Sequence, residues 1–137
     1  MSVAVAHLPS TAGSLALREA AQQAVQRGTS LTVIQITDAV DLDVDAAHQA
    51  GISDEMSSVL TKAGITDLTW DLKLAAGADE VSNTAGTILA LAAEAGADLL
   101  VIGARRRSPL GKFVLGSVTQ EIILTAEVPV LVVKAGR

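Results

Sequence analysis

Short, uniformly apolar runs alternate along this chain with helical stretches that end at glycine, and that alternation leaves few folds open. Residues 3–6, 31–36, 99–102 and 130–133 read as strands buried on both faces. Between the second and third of these runs, Leu68, Trp70, Leu72 and Leu74 alternate with Thr69, Asp71 and Lys73. That period of two marks a strand with one wet face, expected at a sheet edge. Helical patterning covers residues 11–27, with Leu17, Ala20, Ala21, Ala24 and Val25 on one face, then residues 53–63. It resumes over 80–95, with Val81, Ile88, Leu91, Ala92 and Ala95 inward, and again over 117–126. Gly28, Gly64 and Gly96 follow the first three of these helices, the position where a left-handed residue commonly ends a helix. The fourth opens on Ser117-Val118-Thr119-Gln120, which matches a capping box, and stops before Pro129. Residues 38–52 read as one long irregular connection.

The order β-α-β-α-β-α-β-α-β predicts a parallel sheet with helices on both faces and right-handed crossovers, a Rossmann-like α/β fold. At 137 residues the chain is expected to form a single domain, 1–137. Half of its residues are hydrophobic and 18% are charged, a balance that fits a packed core rather than disorder. It has no cysteine, which excludes disulfides and thiolate-bound zinc. The start, Met1-Ser2-Val3-Ala4, lacks the basic region of a signal peptide, and Glu94 and Asp98 interrupt the longest apolar run. The expectation is a cytoplasmic protein with no membrane partner.

Sheets of this kind bind ligands beyond the carboxyl ends of their strands, where the strand order reverses. The segment from Leu99 to Ser117, LLVIGARRRSPLGKFVLGS, fits such a site. An apolar strand runs into Gly103, crosses Arg105, Arg106 and Arg107, and reaches Gly116-Ser117 at the predicted start of a helix. Glycines let backbone amides approach a ligand, and a helix N-terminus adds unpaired donors and positive potential. Charge is distributed to match. Residues 1–98 carry four basic and thirteen acidic side chains, whereas residues 99–137 carry six basic and two acidic. A basic loop on an acidic protein is commonly just solvated; here it coincides with the glycines, and together they point to a phosphate-bearing ligand.

Competing chemistries are weaker. Gly111-Lys112 is followed by Phe113, and Arg106 stands where a Walker loop needs its first glycine. A hydrolase would use Ser117 with His7 and Asp38, but Gly116-Ser117-Val118-Thr119 is not a nucleophile elbow, and a capping serine explains it. His48, placed in a loop beside Asp43 and Asp45, has no paired-histidine spacing, so no metal site is expected. The net charge of −5 argues against nucleic acid, and Phe113 and Trp70 are the only aromatics to offer a stacking surface. Trp70 reads as core or interface. The last strand, Val130–Val133, is apolar on both faces and begins beside Pro129. Proline suits an edge strand, and an open apolar edge invites pairing, so a homodimer through this strand is expected.

The chain resembles the universal stress protein family over nearly its whole length. The resemblance is carried by Ala97-Asp98-Leu99-Leu100-Val101-Ile102-Gly103, by Leu115-Gly116-Ser117-Val118 and by Val128-Pro129-Val130-Leu131-Val132-Val133. Nucleotide-binding members of the family carry Gly, two residues, Gly, nine residues, Gly, then Ser or Thr. Gly103 and Gly116-Ser117 match its two ends. The resemblance implies a sheet ordered 3-2-1-4-5, dimerisation through the last strand, and an adenine nucleotide such as ATP, with or without Mg²⁺. Gly103, Gly116, Ser117 and Val118 would hold the phosphates, and Ile36 at the end of the second strand would lie beside adenine. Two departures stand out. Arg106 replaces the middle glycine, putting a large side chain where the backbone of those members closely approaches the ligand; it either clamps the phosphates or fills their space. Leu8-Pro9-Ser10 replaces the usual Asp-x-Ser after the first strand, keeping Ser10 without the carboxylate. The implied function is an ATP-responsive signalling module of the stress response, not an enzyme. The alternatives are a member that binds no nucleotide and acts through protein contacts, and a slow ATP hydrolase, for which no general base is evident near the loop.

Overall fold

Odd- and even-numbered residues of the central strands part cleanly between two apolar layers, and that division organises the molecule. The computed structural model describes residues 2–7, 13–37, 42–76, 81–104 and 116–134. Within them the elements run β1 (Ser2–His7), α1 (Gly13–Arg27), β2 (Ser30–Thr37), α2 (Leu42–Ala63), β3 (Trp70–Ala76), α3 (Val81–Glu94), β4 (Ala97–Gly103), α4 (Ser117–Thr125) and β5 (Val130–Val133). The strands pair in parallel in the order β3-β2-β1-β4-β5, as expected. Val3, Val5, Leu31, Val33, Leu99 and Val101 point to α1 and α2, where they meet Leu17, Ala20, Ala21, Ala24, Ile52 and Met56. Ala4, Ala6, Ile34, Leu100 and Ile102 point the other way, onto Ala85, Ile88 and Ala92 of α3 and Ile122 of α4. Burying each large aliphatic side chain contributes roughly 1.5–3 kcal/mol, so two such layers supply the drive that holds the sheet between its helices.

The helix stops are as the glycines predicted. Gly28, Gly64 and Gly96 have φ of 66°, 71° and 69°, the left-handed region that glycine enters without a Cβ penalty. After α1, the Gly28 amide donates to the Val25 carbonyl at 3.1 Å and the Thr29 amide to the Ala24 carbonyl at 2.9 Å. After α2, the Gly64 amide donates to the Thr61 carbonyl at 3.2 Å and the Ile65 amide to the Leu60 carbonyl at 2.9 Å. This pair of bonds satisfies two carbonyls that each helix end would otherwise orphan.

Three sequence expectations need correction. The second helix begins at Leu42, so most of the supposed connection over 38–52 is helical and His48 lies on a helix rather than in a loop. Ala46, Ala47 and Ala50 are strong helix formers, but Gly51 and a run of polar residues blurred the apolar period. The helix is anchored further along, by buried Ile52, Met56 and Val59 at spacings of four and three, and tertiary packing of such a stripe stabilises turns that propensity alone leaves marginal. On α1, Val25 is 50% exposed while Ala16 is buried. The inward stripe is Ala16, Leu17, Ala20, Ala21 and Ala24, centred one position earlier than the pattern suggested. The alternating strand runs over Trp70–Ala76, two residues later than its pattern suggested. It does form an edge, and Leu68, Trp70 and Leu72 pack on the α1–α2 layer, which makes Trp70 a core-side residue.

Candidate functional site

The crossovers themselves create the site. β1 leads into α1 on one face of the sheet, and its neighbour β4 leads into α4 on the opposite face. The two crossovers therefore diverge from the carboxyl ends of β1 and β4, and in parallel sheets such a divergence is where ligands bind.

Gly103 closes β4 at that edge and is buried. The amide of the next residue, Ala104, donates to the Val133 carbonyl at 2.8 Å, so the pairing of β4 with β5 holds to the very end of β4. Gly116 is the N-cap of α4, with extended φ and ψ of −66° and 159°, and its carbonyl accepts from the Gln120 amide at 2.9 Å. No side-chain hydrogen bond caps this helix. The amides of Ser117, Val118 and Thr119 have no acceptor within the helix by its geometry, and the positive end of the dipole is left for an anion. This corrects the expected capping box. The chain already turns helical at Ser117, one residue too early for Ser117 to be the cap, and the Ser117 side chain lies on the exposed side of the first turn.

The other expected residues divide by face. Val118 and Ile36 both pack at the margin of the α3–α4 apolar layer, so the structure brings the end of β2 and the first turn of α4 to one side of the sheet. Arg106 and its neighbours Arg105 and Arg107, Gly111-Lys112, Leu8-Pro9-Ser10 and Asp38 lie outside the described residues. His7 goes to the opposite face. It follows Val3 and Val5 in pointing to α1 and α2, where its Nε2 lies 3.3 Å from Oε2 of Glu55. A strand's period of two settles this, and it turns His7 to the face away from α4, in keeping with the rejection of a hydrolase pairing with Ser117.

Two functional candidates escaped the sequence reading. Thr119 is fully buried, three residues before buried Ile122 on α4, and its Oγ1 has no hydrogen-bond partner. A buried hydroxyl without a partner is costly, and this one sits in the first turn of the uncapped helix. Helical spacing from Ile122 was the available signal. Glu55 is the second; its partners lie more than forty residues away, with Ser14 at a separation of 41, and no local pattern marks it. Among the described residues no three histidine, aspartate or glutamate side chains come together to hold a metal ion, and no helix is long and apolar enough to cross a membrane.

This geometry has close relatives. The profile of the universal stress protein family matches residues 1–134. A universal stress protein from Mycolicibacterium smegmatis is 34% identical over 123 residues, 89% of this chain and 88% of the relative. Among solved structures, a universal stress protein from Archaeoglobus fulgidus superposes with a TM-score of 0.73 at 29% identity, covering 96% of this chain and 97% of the other. A universal stress protein from the same organism in complex with dAMP superposes with a TM-score of 0.66 at 24% identity, with 96% of each chain covered. The sheet order, the opposed crossovers after β1 and β4 and the glycine-led start of α4 thus have a common source: the chain belongs to the universal stress protein family.

Proposed function

We propose that this protein is an adenine-nucleotide-binding module of the stress response, acting by binding rather than by catalysis. The observation that carries the reading is the start of α4: an uncapped helix N-terminus led by Gly116, with the unpartnered Thr119 hydroxyl in its first turn, at the reversal of strand order. Phosphate is the natural occupant, because it brings acceptor oxygens to orphan amides and negative charge to the positive end of a helix. Gly103, Gly116, Ser117 and Val118 are assigned to the phosphates, Arg106 to added charge on them, and Ile36 to the adenine side. The family relative that holds dAMP supports adenine as the base. A homodimer through Val130–Val133 accompanies this reading. All four residues of that edge strand remain partly exposed, and sedimentation of a monomer at tens of micromolar, roughly the range of weak association, would remove it.

The test is isothermal titration with ATP, ADP and AMP, with and without Mg²⁺. Saturable binding that tightens with phosphate number, weakens with salt and is reduced by Ser117→Ala and Gly116→Val is the expected result. Absence of heat at millimolar ligand, with the protein shown to be folded, refutes the reading and leaves the family member that works through protein contacts. Phosphate release above the buffer background would make it a hydrolase instead.

A further inference from the structure

On the α1–α2 face, at the carboxyl end of β1 and beside the strand that ends in Gly103, one carboxylate joins three elements. Glu55, in the middle of α2, accepts a hydrogen bond from the Ser14 hydroxyl on Oε1 at 2.8 Å. Its Oε2 lies 3.3 Å from Nε2 of His7. His7 is the last residue of β1 and Ser14 lies in the first turn of α1, so Glu55 grips the chain on both sides of the β1–α1 connection.

The arrangement is poorly suited to a purely stabilising role. The side chains of His7 and Glu55 are 16% and 29% exposed and Ser14 lies on the surface, and each such side-chain hydrogen bond contributes only about 0.5–1.5 kcal/mol net. What such a bridge does supply is geometry. It fixes where the chain leaves β1 and where it enters α1, and a site whose walls are already placed binds without the cost of ordering them. Beside His7 in the β1–β2 register stands Gln35, whose Oε1 is buried and without a partner, so this corner is polar and under-satisfied, and one lost bond leaves His7 free to shift.

We infer that Glu55 is a positioning residue for the nucleotide site, holding His7 and Ser14 so that the end of β1 and the start of α1 meet the ligand in a preset geometry. This rests on the nucleotide reading above. The experiment is ATP titration at 25 °C on wild type, Glu55→Ala, Glu55→Gln, Ser14→Ala and the control Lys62→Ala, each with its thermal midpoint. Lys62 is an exposed residue near the end of the same helix.

For Glu55→Ala, ATP affinity falls about tenfold while the midpoint drops by only a few degrees, so that the protein stays fully folded at the titration temperature and the loss of affinity reports lost preorganisation. Glu55→Gln, whose amide oxygen still accepts one donor, and Ser14→Ala, which removes one arm, each lose about threefold. Ser14→Ala adds nothing further in the Glu55→Ala background, because the two residues act as a unit, and Lys62→Ala binds as wild type does. Wild-type affinity in folded Glu55→Ala overturns the positioning role and leaves the nucleotide reading standing. Should Glu55→Ala not fold, unchanged affinity in Glu55→Gln and Ser14→Ala decides the same way. A folded wild type that binds no ATP sinks both.

Discussion

One substitution, glycine to alanine, is expected to change sign within this molecule for a reason that involves no contact. A Cβ added at Gly28, Gly51, Gly64 or Gly86 meets no atom within 4 Å, so neither packing nor clash separates the four positions. Backbone conformation does. Gly28 and Gly64 hold φ of 66° and 71°, where an L-residue with a Cβ is disfavoured by roughly 1–2 kcal/mol. Gly51 and Gly86 lie inside α2 and α3, where alanine is better than glycine by roughly 0.5–1 kcal/mol. Alanine also narrows the unfolded ensemble at every site, by about 0.4–1 kcal/mol, a gain already contained in the helical figure. Set against the left-handed penalty, it leaves a net loss of about 0.5–1 kcal/mol at Gly64. Urea denaturation at one fixed protein concentration should then place Gly51→Ala above wild type and Gly64→Ala below it, with midpoints separated by roughly 3–6 °C in a thermal scan. Fixed concentration matters, because self-association would otherwise move both midpoints. The two variants shifting in the same direction would refute the reasoning, since φ is the feature that separates them.

Thr119→Val keeps the shape of a fully buried side chain and removes a hydroxyl with no partner; the nucleotide-free protein should gain about 1 kcal/mol, measured by chemical denaturation, and a loss of that size would mean the hydroxyl is satisfied. Ser117→Ala should change stability by less than about 0.5 kcal/mol, because Ser117 is the first helical residue and makes no cap bond, whereas removing a true serine cap costs typically about 1 kcal/mol. The same variant should lower the rise in thermal midpoint produced by millimolar ATP, so the two readouts separate capping from phosphate contact.

Much of this architecture was legible in one dimension. Runs such as Leu99–Val101 and Val130–Val133 are apolar on both faces, the pattern of strands in a parallel sheet covered by helices, and Gly28, Gly64 and Gly96 announce helix ends because so few residues adopt a positive φ. That Gly103 ends a strand and Gly116 leads into a helix was legible for the same reason: a strand end and a helix start carry recognisable local chemistry. These signals depend on nearest neighbours along the chain, and the sequence states them directly.

What the sequence left open turns on distance and on single-residue offsets. Whether α4 starts at Ser117 or one residue later decides if that serine caps the helix or faces solvent, and the difference lies in whether Ser117 itself takes extended or helical ψ. The length of α2 was hidden because its helical start is sustained by the buried stripe at Ile52, Met56 and Val59 further along. His7 could not be assigned to a face until the register of β1 was known, and Glu55 had no signal at all until folding brought α2 beside the first turn of α1. Local pattern determined the elements and their order, since those rest on short-range sterics and hydrophobic period. The tertiary structure decided which side chains meet at the site, since that requires closing loops of some forty residues that carry no mark of where they will close.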